Sequence, residues 1–159
     1  MPDLYTAIRD DHDEHRALLS SIADTWEDPA RRKAWVRFYT EVKSHTVAEE
    51  EALYSRLLAA TEDSTARETA REHEALDALM EELNGTEMNS LAWATKFKKL
   101  QEDYLHHIEA EEHDIFPRAR REIPAGEIGV AGDQFVQRKA EARRLAMPAR
   151  RGDLEELED

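Results

Sequence analysis

Two short stretches of this sequence hold side chains in an arrangement suited to metal chemistry. His45-Thr-Val-Ala-Glu49 and His107-Ile-Glu-Ala-Glu111 each set an imidazole and a carboxylate four residues apart. On a helix that spacing puts both groups on one face, one turn apart. Imidazole with carboxylate suits iron, manganese or zinc. The chain has no cysteine, so disulfides, thiolate sites and iron–sulfur clusters are excluded. A lone His-x-x-x-Glu is common on solvated helix faces and would say little. Here it comes twice within a longer match: His45 to Tyr54 and His107 to Phe116 both read His-x-x-Ala-Glu-Glu-x-x-aliphatic-aromatic, at an offset of 107 − 45 = 62. Asp11-His12 and Glu72-His73 repeat as well, at an offset of 73 − 12 = 61. Each His/Glu pair is therefore preceded by a partner histidine, and His15 adds another three residues after His12.

The elements that must position these groups read as helices. Breaks fall at Asp28-Pro29, Thr61 to Ser64, Asn84-Gly85-Thr86 and Pro124-Ala125-Gly126, which leaves four segments of about five turns or more. Each carries a seam of the kind that packs in a bundle. The seams are Tyr5, Ile8, His12, His15, Leu19, Ile22 and Trp26; Trp35, Phe38, Val42, His45, Glu49 and Ala52; Ala66, Thr69, His73, Leu76, Met80 and Leu83; Trp93, Phe97, Leu100, Tyr104, His107 and Glu111. Apolar seams interrupted at mid-helix by histidine and glutamate would bury those groups, and an uncompensated buried carboxylate costs several kcal/mol or more. A metal ion compensates directly, and two ions suit this number of ligands better. Buried ion pairs and hydrogen-bonded core histidines are the plainer alternatives, but they leave the repeat unexplained. Two hairpins of one design would pack about a pseudo-two-fold axis, with His45 and His107 as terminal ligands and Glu49 and Glu111 reaching across.

At Asp11-His12, His45-x-x-x-Glu49, Glu72-His73 and His107-x-x-x-Glu111, in that order, the sequence resembles the hemerythrin family, in particular its bacterial members with the HHE cation-binding domain. The resemblance runs from about residue 4 to residue 120. It implies an all-α fold, an antiparallel up-down-up-down four-helix bundle, holding two non-haem iron ions with an open position where dioxygen binds. The family prototype uses five histidines and two bridging carboxylates, and His12, His15, His45, His73 and His107 with Glu49 and Glu111 reproduce that count. The chain departs from the prototype on the odd helices. Position 77, four residues beyond His73, is Asp77, and the extra histidine is His15, whose repeat counterpart is Leu76. Either the six-coordinate iron has moved to the first hairpin, with His12, His15 and His45 on it, or only one of His12 and His15 is a ligand. Asp11 and Glu72 are candidates to orient ligand histidines through the second ring nitrogen. Tyr104 is read as a core residue, while His106 and His113 fall off the seam and belong at the surface.

The expected divisions are the bundle over 1–123, an additional C-terminal helix over 124–147 packed on or beside it, and a disordered charged tail over 148–159. A formal net charge of −14, from 36 acidic and 22 basic residues, argues against nucleic acid as a partner. No apolar run approaches the roughly 20 residues that span a membrane, and the first residues lack the pattern of a signal peptide; the expectation is a cytoplasmic protein, monomer or homodimer. The function expected is dioxygen binding for carriage, storage or sensing. The alternatives are a diiron enzyme of oxidative or nitrosative stress acting on peroxide, nitric oxide or ferrous iron, and an iron-handling protein.

Overall fold

A computed structural model describes the backbone of residues 3–25, 29–61 and 64–158, and the side chains within those ranges as far as residue 145. Trp26, expected on the first seam, and Asp28, Glu62 and Asp63, expected in turns, lie outside the described residues. The fold is all-helical, as expected, with no strand among the described residues. In order the elements are α1 (Leu4–Asp24), α2 (Ala30–Glu49), a π-helical segment (Glu50–Tyr54), α3 (Ser55–Ala60), α4 (Thr65–Asn84), α5 (Leu91–Ala110), a second π-helical segment (Glu111–Ile115), α6 (Phe116–Glu122) and α7 (Ala125–Glu158). Two helix starts are fixed by side-chain caps of the usual chemistry. Asp3 accepts from the Thr6 backbone N–H at 2.8 Å, and Ser90 from that of Trp93 at 3.1 Å.

The two π-helical segments follow directly on Ala48-Glu49 and on Ala110, so each wide turn sits at the carboxylate of one His-x-x-x-Glu pair. Wide turns of this kind are rare and recur at functional sites. No residue type in either stretch announces one.

The chain divides into two compact units, residues 1–54 with 125–159, and residues 55–124. In the first, α7 lies along α2 and also packs on α1. The consequence shows in α2, whose second half is buried nearly all round: Phe38, Tyr39, Thr40, Glu41, Val42, Ser44, His45, Ala48 and Glu49 are all buried. A helix covered on one face only would show an apolar stripe; α2 is covered on both. Among the apolar residues of α7, Phe135 is buried, Ile128 is half-buried and Val136 is exposed, one residue and so about 100° round from Phe135. Ala131 shares the buried face with Phe135. The bounds of α7 run to Glu158, beyond residue 147 where the C-terminal helix was expected to end.

In the second unit α4 packs on α5, and α3 on α4 and α6. Its core takes Ala66, Thr69, His73, Leu76, Met80 and Leu83 from α4. From α5 it takes Trp93, Phe97, Leu100, Tyr104 and Ile108, with the Trp93 and Phe97 rings stacked at 5.3 Å. Every described seam residue read from the sequence is buried, apart from His107, which is partly exposed.

Candidate metal centre

In the first unit, His45 is the hub. Near the C-terminal end of the doubly covered α2, it is 1% exposed, with both ring nitrogens engaged. Nδ1 donates to Asp11 Oδ2 at 2.8 Å and Nε2 to Glu49 Oε2 at 3.0 Å. Burial works against a charged ring here, but Glu49 and Asp11 outweigh it and raise the His45 pKa to about 9. Asp11 responds in the opposite sense. Burial alone would raise its pKa, yet the hydrogen bond and charge of His45, joined by Lys139, hold it down to about 2.

His12, one turn before the position His15 extends, brings Nε2 to 3.9 Å from Glu49 Oε2. One donor atom each of His12, His45 and Glu49 lies within 4.8 Å of the others, and the same holds for Asp11, His15 and His45. The His15 ring stands at right angles to His45 with centroids 5.0 Å apart. Burial, with the charge of His45 beside it, holds the His15 pKa well below the ordinary value for histidine. His15 is thus a neutral imidazole, the form that ligates metals.

The second unit repeats the design with a looser seal. His107 Nδ1 donates to Glu72 Oε2 at 2.6 Å, and its Nε2 lies 3.2 Å from His73 Nε2 and 3.7 Å from Glu111 Oε2. Donor atoms of His73, His107 and Glu111 fall within 4.8 Å of one another. The hydrogen bond from His107 lowers the Glu72 pKa, against a modest opposing effect of burial. Tyr104 is buried, as expected of a core residue, and its ring stacks on His107 at 6.1 Å. His106 and His113 are exposed.

All seven residues read from the sequence therefore fall into two clusters, His12, His15, His45 and Glu49 in one unit and His73, His107 and Glu111 in the other. The two carboxylates singled out to orient histidines do contact them, but each on the next long helix: Asp11 of α1 holds His45 of α2, and Glu72 of α4 holds His107 of α5. Four further residues could not be read from the sequence as parts of the site. Lys139 Nζ reaches Asp11 Oδ1 at 2.7 Å and Glu41 Oε2 at 3.5 Å, and Arg143 reaches Glu41 at 2.7 Å. The Phe135 ring meets His45 edge-on at 5.5 Å. Nothing short of knowing where α7 lies would have joined residues 128 positions apart.

A family model for the hemerythrin HHE cation binding domain matches residues 3–119. The chain belongs to that family. Its fold is similar to that of a hemerythrin HHE cation binding domain-containing protein from Mycobacterium kansasii, with a TM-score of 0.84 at 20% identity over 95% of this chain and 93% of the other. No curated protein matches the sequence closely. In this HHE-domain protein the buried histidines and glutamates form clusters able to hold metal. No helix among the described residues is long and apolar enough to cross a membrane.

Proposed function

We propose that this HHE-domain protein holds two non-haem iron ions and binds dioxygen at them. The ligands in this reading are His12, His15, His45 and Glu49 from the first unit with His73, His107 and Glu111 from the second. One observation carries it: His45 and His107 each fix Nδ1 on a carboxylate, Asp11 at 2.8 Å and Glu72 at 2.6 Å, so that Nε2 of each ring faces its cluster. A carboxylate behind a histidine, setting its tautomer and raising its basicity, is the common support of a ligand imidazole. The donor chemistry fits iron, with five imidazoles, two carboxylates and no thiolate. The iron pair, when bound, supplies the one- and two-electron chemistry that dioxygen requires.

The protein's own residues prepare the site. His45 would hold a metal through Nε2, which would release the proton there, while Asp11 would keep the Nδ1 hydrogen bond that orients the ring. The apolar neighbours Phe38 and Phe135 keep water from the His15 and His45 rings. This donor set is richer in nitrogen than the glutamate-dominated di-metal sites of ferritin-like bundles, which suits reversible binding.

The test is anaerobic reconstitution of the full chain with ferrous iron, a metal count, and an optical spectrum on adding oxygen. Two irons per chain and a visible band that disappears on removing oxygen support the reading. Two irons that oxidise irreversibly replace it with an enzyme of peroxide, nitric oxide or ferrous iron. Fewer than two metals, or full iron retention in a His45→Ala, His107→Ala double variant, sinks the site itself.

A further inference from the structure

The internal repeat allows the two hairpins to be compared residue by residue, each within its own unit. On the first, α7 covers a face formed by Asp11, Glu41 and His45. Its Lys139 bridges the two carboxylates and its Phe135 lies against the imidazole. The offsets of 61 and 62 carry that face to Glu72, Asp103 and His107 on the second hairpin. There the three residues line an open groove of about 570 Å³ between α4 and α5, whose wall is mainly apolar and includes Leu76, Leu79 and Leu100.

We infer that this groove seats an amphipathic helix from a partner protein, carrying an aromatic residue and, four positions on, a lysine or arginine. The first hairpin shows how such a helix fits a face of this design. The footprint is that of a helix: the lining runs from Glu72 to Glu82 along α4, about three turns or roughly 15 Å. Its polar groups select the partner's charge. Glu72 and Asp103, the counterparts of the carboxylates bridged by Lys139, are 59% and 58% exposed. Asp103 pairs with Lys99, an i, i+4 contact in water that a docked cation replaces at little cost. A basic helix would also be drawn to a chain of net charge −14. The groove shares Glu72 and His107 with the iron reading, but its test turns on Asp103 and Ala78, which that reading does not use, so the two stand or fall separately.

The test uses the full chain and, as probe, a fluorescently labelled peptide of residues 125–147 of this same sequence, which carries Phe135 and Lys139. Anisotropy should show saturable one-to-one binding. Asp103→Lys, Ala78→Glu in the groove wall, or Lys139→Glu in the peptide should each weaken it by about tenfold or more. Asp103 and Ala78 are exposed, so both variants should fold, as circular dichroism would verify. Absence of saturable binding overturns the proposal, as does binding that ignores both groove variants. Binding abolished by Glu41→Lys but not by Asp103→Lys would mean the peptide displaces α7 from its own seat, and also overturns it. A homodimer of the unliganded chain that Ala78→Glu dissociates would assign the groove to a second copy instead.

Discussion

Replacing Lys139 by methionine isolates the contact by which α7 grips the rest of its unit. Methionine keeps most of the apolar stem that lysine packs along the helix and removes only the charge. The ammonium bridges Asp11 at 2.7 Å and Glu41 at 3.5 Å, and all three side chains are only 11–12% exposed. Removing one partner of a buried pair costs about 3–5 kcal/mol, because the other charge is left without compensation. Here both carboxylates keep a second partner, Asp11 in His45 at 2.8 Å and Glu41 in Arg143 at 2.7 Å, so the loss should be nearer about 2 kcal/mol. For a chain of this size that is a fall in Tm of about 4–8 °C. The assay is urea and thermal unfolding of the metal-free protein with a chelator present, followed by circular dichroism. Lys99→Met, whose partner Asp103 stands in water, is the control and should leave the midpoint almost unchanged. If Lys139→Met proves no more destabilising than the control, α7 is not held as described.

Four further expectations follow from the same contacts. Asp11→Asn and Glu72→Gln leave every proposed ligand in place, yet each should weaken iron binding by about 10–100-fold, measured by competition with a chelator; unchanged affinity would remove the carboxylates from the site. Phe135→Ala empties a buried ring position beside His45 and should cost about 3 kcal/mol in urea unfolding, with a loss under about 1 kcal/mol contradicting its place in the core. The metal-free protein should lose stability as pH rises from about 6.5 to 9. Its His45 binds a proton more tightly folded than unfolded, so that contribution is full below the ordinary histidine pKa and gone above about 9. Asp11 acts in the opposite direction, its contribution present above about 4 and lost as pH falls through about 2. Iron binding should strengthen over the same rise from 6.5 to 9, since the metal must displace the His45 proton. A urea midpoint that stays flat across that range would refute the assignment of charge to His45.

The seams were legible because burial on a helix leaves a periodic trace, and a histidine or glutamate inside an apolar period is conspicuous. That is why His12, His15, His45, Glu49, His73 and Glu111 could be named before any coordinates, and why they are buried. His107 was found by the same rule although it is partly exposed, because the repeat pointed to it. The contacts from α7 left no such trace. Lys139 and Arg143 read as ordinary solvated charges on a helix, and Glu41 sits off the α2 seam; only a second helix laid over that face buries it. The pairing of Asp11 with His45 and of Glu72 with His107 was half visible. The residue types suggested carboxylates behind histidines, but which histidine each would meet depends on how adjacent helices are rotated, and spacing along one helix does not encode that.

The wide turn at Glu111–Ile115 works as a phase shift. Carried forward from Glu111 at the α-helical period of 3.6 residues per turn, the α5 seam would bury 115, 118 and 122, yet the residues that face inward are Phe116, Ala119 and Ile123, each one position later. The turn has absorbed one residue, and everything beyond it is rotated by about 100° relative to an uninterrupted α-helix. Deleting a single residue from that segment would therefore remove the wide turn and still leave Phe116, Ala119 and Ile123 facing the core on an uninterrupted α-helix, whereas straightening it with every residue kept would turn Phe116 out to water and bring Ile115 and Arg118 round. The tempo of the sequence changes at the carboxylate itself, so the helix that carries His107 and the one that begins at Phe116 keep separate time.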